Sequence, residues 1–119
     1  MNQRHVPNVF RPEWDALTDD ALFRLKVAAI GRAAGCSDLR ADLWEIQPSG
    51  LLAPLPARYG REELLLVLSG RGRLVGPDEP LALAAGDVAV VSAWFGSSQL
   101  ENDGSEPLRV LQLGRPLDS

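Results

Sequence analysis

Residues 50–70 read GLLAPLPARYGREELLLVLSG, and the fold is decided here. The stretch ends in five apolar residues, Leu64-Leu65-Leu66-Val67-Leu68, stopped by Ser69-Gly70. Side chains alternate across a strand, so an unbroken apolar run puts apolar groups on both faces. Residues 62–68 are therefore expected to form the strongest strand, with both faces covered. One face would line a barrel interior. The other needs a second sheet, the N-terminal arm or a partner subunit. Two carboxylates, Glu62 and Glu63, lead into the run, and Arg58, Tyr59 and Arg61 sit in the loop before them. Pro54 and Pro56 keep that loop out of a central ladder.

Upstream, residues 40–47, RADLWEIQ, alternate, with Leu43 and Glu45 on one face and Trp44 and Ile46 on the other. Pro48-Ser49-Gly50 breaks this run. Residues 21–30, ALFRLKVAAI, are ambiguous: propensity favours helix, whereas alternation of Phe23, Leu25, Val27 and Ala29 against Arg24 and Lys26 favours strand. Strand is preferred because the rest of the chain reads as β. Gly31 to Asp38 reads as a loop. Residues 1–20, with Pro7 and Pro12, read as an irregular arm whose aromatics, Phe10 and Trp14, could pin it to the body.

Downstream, short β pieces follow closely: Arg73 to Val75, Leu81 to Ala84, Val88 to Val91, Gln99 to Glu101 and Leu108 to Leu113. Pro77-Asp78-Glu79-Pro80 and Gly86-Asp87 mark turns, and Asn102-Asp103-Gly104 is a hairpin signal. Many short strands at even spacing predict an all-β sandwich or barrel. The expected organisation is an arm over residues 1–20 and one domain over residues 21–119.

With 119 residues the chain is long enough for one real core. Its net charge of -4, with Arg as eleven of twelve basic residues and none clustered, argues against nucleic acid as a partner. No apolar run approaches the roughly 20 residues that cross a bilayer, so no membrane partner is expected. The N-terminus lacks the apolar core of a signal peptide, and Cys36 is the single cysteine, so the cytoplasm is the expected compartment. His5 is the single histidine, which removes multi-histidine metal sites from one chain.

The chain resembles the cupins, small jelly-roll β-barrels whose first motif runs G-x(5)-H-x-H-x(4)-E-x(6)-G. Gly50, Glu63 and Gly70 fall in that frame without a gap, with Pro56 and Arg58 at the histidine positions. The second motif, G-x(5)-P-x-G-x(2)-H-x(3)-N, opens at Gly86 and continues DVAVV. Ser92 stands at its proline position and Trp94 at its glycine position. The histidine position falls on Ser97, or on Ser98 if one insertion lets Asn102 take the Asn place. The segment ENDGSEPLRVLQL is also typical of small bacterial cupins. The resemblance covers roughly residues 40–113 and implies a jelly-roll barrel or sandwich.

In that family the motif histidines and glutamate bind a divalent metal. Of those ligands Glu63 alone remains. One carboxylate cannot converge on a metal, and the Arg58 guanidinium offers no lone pair. The expectation is a barrel with no metal and no cofactor. The candidate ligand-binding residues are Arg58, Tyr59, Glu63, Trp94, Ser98 and Asn102.

Each candidate has a plainer reading beside the functional one. Arg58 could replace the metal's charge and pair with Glu63, or both could point to water. Tyr59 could donate a phenolic hydrogen bond or cap the barrel end. Trp94 and Phe95 could wall a ligand or fill the emptied cavity. Ser97, Ser98, Gln99 and Asn102 offer neutral polar groups near the lost histidine, or form a solvated strand end. A serine-hydrolase triad is unsupported, since no histidine exists in the body. Cys36 reads as an ordinary thiol.

Three function classes remain open. One is a metal-free cupin-like module that binds a small polar or anionic molecule in the barrel, packed as a homodimer. Another is a metal-independent isomerase, epimerase or lyase using Glu63 and Arg58. A third is a barrel packed shut that acts as a dimeric scaffold. No catalytic residue is assigned.

Overall fold

A computed structural model describes residues 6–18, 24–52, 62–76, 79–92 and 98–115. In chain order the elements are β1 (Ala16–Thr18), β2 (Leu25–Ala28), α1 (Ile30–Ala34), β3 (Arg40–Ile46) and β4 (Leu51–Leu52). They continue as β5 (Glu62–Ser69), β6 (Arg71–Val75), β7 (Leu81–Ala84), β8 (Val88–Ser92), β9 (Gln99–Glu101) and β10 (Leu108–Gly114). All neighbours pair antiparallel, in a six-stranded sheet ordered β1-β2-β3-β10-β5-β8 and a four-stranded sheet ordered β4-β9-β6-β7. The two sheets give the expected all-β, jelly-roll architecture.

Strand β5 settles the opening stretch. Glu63, Leu65 and Val67 turn inward and are buried, while Leu64 on the opposite face is 42% exposed. Leu65 and Val67 join Ile46, Val91, Leu100, Leu108 and Val110 in one core between the sheets. Burying each such side chain contributes roughly 1.5–3 kcal/mol. Leu74 and Leu83 bring the four-stranded sheet into the same cluster.

Four local expectations are corrected. The arm is not wholly irregular, because Ala16–Thr18 pairs with β2 at the sheet edge. Its aromatics divide: the Trp14 ring lies 5.4 Å from the Arg109 guanidinium and 5.9 Å from Lys26 Nζ, whereas Phe10 is 71% exposed. The ambiguous segment is strand over Leu25–Ala28, but the chain then coils into α1 where a loop was expected. Ala and Arg favour that turn of helix. Gly35 ends it at φ 100, with its N–H bonded back to the Arg32 carbonyl.

The Asn102-Asp103-Gly104 segment is not a hairpin. β9 belongs to the four-stranded sheet and β10 to the six-stranded one, so the segment carries the chain between layers. Turn chemistry reports a reversal of direction but not whether the two strands then pair. A short strand, β4, lies before the prolines and pairs with β9. Among the described residues no helix is long and apolar enough to cross a membrane.

Candidate functional site

The core changes character at one end of the six-stranded sheet. On the inner face of β3 stand Arg40, Asp42, Trp44 and Ile46. On that of β10 the partners are Gly114, Gln112, Val110 and Leu108. On β5, Gln112 faces Leu65 and Val110 faces Val67, which puts Glu63 beside Gly114. The rows toward Ile46 are aliphatic. The rows toward Arg40 are charged and polar.

These polar groups form a chain of hydrogen bonds. Trp44 Nε1 donates to Gln112 Oε1 at 3.0 Å, and Gln112 Nε2 donates to Glu63 Oε1 at 2.6 Å. Arg40 Nη2 donates to the same Glu63 oxygen, and Arg40 Nη1 donates to Asp42 Oδ2 at 2.9 Å. Glu63 is 3% exposed and Gln112 is fully buried. Gly114 makes the room: a Cβ there would lie 2.8 Å from Glu63 Cδ. Among the described residues the arrangement places one guanidinium between two carboxylates. Burial works against the Arg40 charge, but hydrogen bonds to Glu63 and then Asp42 outweigh it and raise its pKa above the ordinary value.

The candidate residues fare differently. Glu63 faces inward. Its expected partner Arg58 lies outside the described residues, as do Tyr59, Trp94, Phe95, Ser97 and His5. Ser98 is half-buried, and a Cβ on Gly76 would sit 3.2 Å from its Oγ. Asn102 is 3% exposed, and its amide is taken by the backbone. Its Nδ2 donates to the Ile46 and Glu106 carbonyls, each at 2.8 Å, and its Oδ1 accepts from Gly104 N–H at 2.9 Å. Asn102 thus stands at the Ile46 end of β3. Six residues separate Ile46 from Arg40, about 20 Å at strand rise, so Asn102 and Glu63 are not brought together.

Sequence reasoning missed Arg40, Asp42 and Gln112. The alternation already placed Trp44 and Ile46 on one face of β3. Extending it two and four residues upstream puts Asp42 and Arg40 on that face too. Gln112 had no such signal, being one polar residue in the run Val110-Leu111-Gln112-Leu113.

The outer face of β3 carries a second buried acid. Glu45 pairs with Arg109 at 2.6 Å and Lys26 at 3.4 Å, and accepts from Gln47 Nε2 at 3.0 Å. Burial alone would raise its pKa, but hydrogen bonding and charge from Arg109 lower it below the ordinary value. Arg109 Nη1 also donates to the Val9 carbonyl at 2.8 Å, which straps the arm onto the sheet. A groove of about 470 Å³ lies between the arm and α1, lined by Val6, Arg11, Asp15, Ile30 and Ala33 among others. A second, of about 460 Å³, is lined by Leu39, Glu62, Leu64, Val90 and Leu113 together with Glu63 and Gly114.

The donor set near Glu63 does not fit the metal that the cupin resemblance implies. The inward Glu63 oxygen is bonded to a guanidinium and an amide. Among the described residues no group of three or more His, Cys, Asp or Glu could hold an ion. Such ions need several converging ligands.

Solved structures share this architecture. A candidate sugar phosphate isomerase from Acidithiobacillus ferrooxidans is 27% identical, with a TM-score of 0.70 over 80% of this chain and 61% of that one. A sugar phosphate isomerase of the cupin superfamily from Silicibacter pomeroyi is 21% identical, with a TM-score of 0.68 over 77% of this chain and 59% of that one. The chain therefore spans about three fifths of the length of these two proteins. KdgF from Halomonas sp. is 14% identical, with a TM-score of 0.66 over 89% of this chain and 90% of that one. No curated protein matches the sequence. The cupin-domain model matches residues 42–114, from the middle of β3 to the end of β10, and so takes in the inner-face strands that hold Glu63 and Gln112. With more than half of its length inside that match, the chain belongs to the cupin family.

Proposed function

We propose that this cupin domain binds a small polar or anionic molecule at the Glu63 end of its barrel, without a metal ion. The observation that carries this reading is the buried, oriented carboxylate of Glu63. Arg40 and Gln112 both donate to Oε1, and no described group donates to Oε2. That second oxygen is the acceptor on offer to a ligand hydroxyl. In this reading Arg58 holds the ligand's anionic end, Tyr59 donates a phenolic hydrogen bond to it, Trp94 walls it, and Ser98 lends a hydroxyl. Asn102 stands outside the pocket, because its amide is committed to the backbone. A buried charge network costs desolvation energy that an aliphatic core would avoid, so keeping one at the barrel end supports a binding role.

A thermal-shift screen of small carboxylates and sugar phosphates tests the reading. Stabilisation is expected with at least one compound and is lost in Arg58→Ala. No shift with any of them, or the same shift in the variant, overturns it.

A second reading, a metal-independent isomerase, epimerase or lyase, is favoured by the similarity to the Acidithiobacillus protein. Glu63 would move a proton and Arg58 would stabilise the negative charge that develops. Turnover of a sugar phosphate that disappears in Glu63→Gln would establish it. No turnover across the screen would leave binding as the function.

In either reading we take the chain to act as a homodimer. Leu113, Leu64 and Val90 form one cross-strand row on the outer sheet face, and Leu111, Leu66 and Val88 form the next. Leu64, Val88 and Val90 are between 42% and 60% exposed. Two aliphatic rows free of charge match a second copy of themselves under a two-fold axis. If the barrel interior beyond Glu63 is filled as the aliphatic rows are, the dimer would be a scaffold instead.

A further inference from the structure

We infer that Arg40 supplies, from the chain itself, the positive charge that cupins otherwise take from a divalent ion at this end of the barrel. The inference concerns what holds Glu63 and does not depend on which ligand binds. Three observations carry it.

Glu63 is almost fully buried, and a buried carboxylate is sustained only by a cation or by several donors. Asp42 lies within reach of the same guanidinium, so among the described residues two carboxylates of the inner face share the Arg40 cation. Left without it, the two like-charged carboxylates would face each other across the inner face and repel. Lastly, the strand register makes space for the guanidinium. Arg40 is paired with Gly114, and Gly114 lies beside Glu63, so the Arg40 side chain crosses a position with no side chain to reach it. A planar guanidinium bonds two carboxylates through separate nitrogens, which a lysine ammonium does less well. Arg40 is thus a positioning residue: it orients the Glu63 carboxylate, with Gln112 as the second donor.

A set of Arg40 variants tests whether the charge matters rather than the bulk. Arg40→Met keeps volume and removes charge, and is expected to lower the melting temperature by more than about 10 °C. Arg40→Lys keeps charge and is expected to recover part of that loss. Adding MnCl2 to Arg40→Met, at a hundredfold excess over its dissociation constant, is expected to raise its melting temperature by about 5 °C or more. The two carboxylates then have a cation again, and Asp42→Asn in the same background abolishes the gain. Bound manganese is read independently by its paramagnetic resonance signal. The wild type is expected to be indifferent to both MnCl2 and chelator.

Equal stability of Arg40→Met and Arg40→Lys overturns the inference, since volume alone would then explain Arg40. So does manganese stabilisation of the wild type that is lost in Glu63→Gln, since metal would then reach Glu63 past the guanidinium. If Arg40→Met folds only when refolded with MnCl2, the inference stands. If it folds with neither, while Arg40→Lys also fails, it falls.

Discussion

Arg40 and Glu63 meet across Gly114, three inner-face positions on three adjacent strands of which the middle one has no side chain. The ion pair is made over β10 rather than along a strand. Its partners are 23 residues apart in sequence, and β10 joins the sheet between them from the far end of the chain.

Gly114→Ala is expected to destabilise the fold by about 1–3 kcal/mol through overpacking against the Glu63 carboxylate. Urea unfolding measures it. An unchanged midpoint would mean that Glu63 withdraws freely, and that the crossing is loose.

Gln112→Leu removes one donor from Glu63 and leaves the half-buried Trp44 indole N–H without its acceptor. A cost of about 1–3 kcal/mol is expected. The indole resonance of Trp44 in a proton–nitrogen correlation spectrum should move to the position of an unbonded N–H. Retention of its wild-type shift would show that the Trp44–Gln112 bond does not persist in solution.

Asn102→Ala strips three hydrogen bonds from the crossing between the sheets, at about 1 kcal/mol each. The melting temperature should fall by about 10 °C or more. Binding of any ligand found for the barrel should survive in the folded variant, because Asn102 sits at the opposite end of β3 from Arg40.

Stability should also fall in acid through Glu45. Its folded pKa lies below the ordinary value of about 4.5, so the unfolded chain takes up protons first as pH drops. The contribution is therefore complete above about 4.5 and is lost as pH falls through the folded pKa. Glu45→Gln should unfold at a higher urea concentration relative to wild type at pH 3 than at pH 7. An equal difference at both pH values would remove Glu45 from the acid response.

Val90→Lys puts a charge into the middle of the outer aliphatic rows. It is expected to convert a dimer to monomer in sedimentation velocity without lowering the melting temperature of the folded chain beyond the loss of association. A wild type that sediments as monomer at all concentrations would remove the dimer.

Much of this was legible in residues 50–70 and their neighbours. The alternation of β3, the apolar run of β5 and the glycine-bounded motifs predicted an all-β cupin barrel, because side-chain period and turn chemistry are local properties. The inward turn of Glu63 follows from the same period, counted back from Leu65. The neighbouring face of β3 was equally open to counting, and would have brought Arg40 and Asp42 forward beside Trp44. The helix at Ile30–Ala34 was hidden because five residues are too few to hold a helix by propensity alone, and this one forms by docking on β3.

The sequence by itself determined the main strands, the family and, with a single histidine in the chain, the lack of a histidine set around Glu63. The tertiary structure decided that Glu63 meets Arg40, because strand order is a long-range choice that no local period encodes. It also decided that Asn102 fastens a crossing between sheets, since the same turn residues serve a hairpin or a change of layer. Above all it decided the meaning of Gly114. In the sequence this residue ends an apolar strand; in the sheet it is the gap through which Arg40 reaches Glu63.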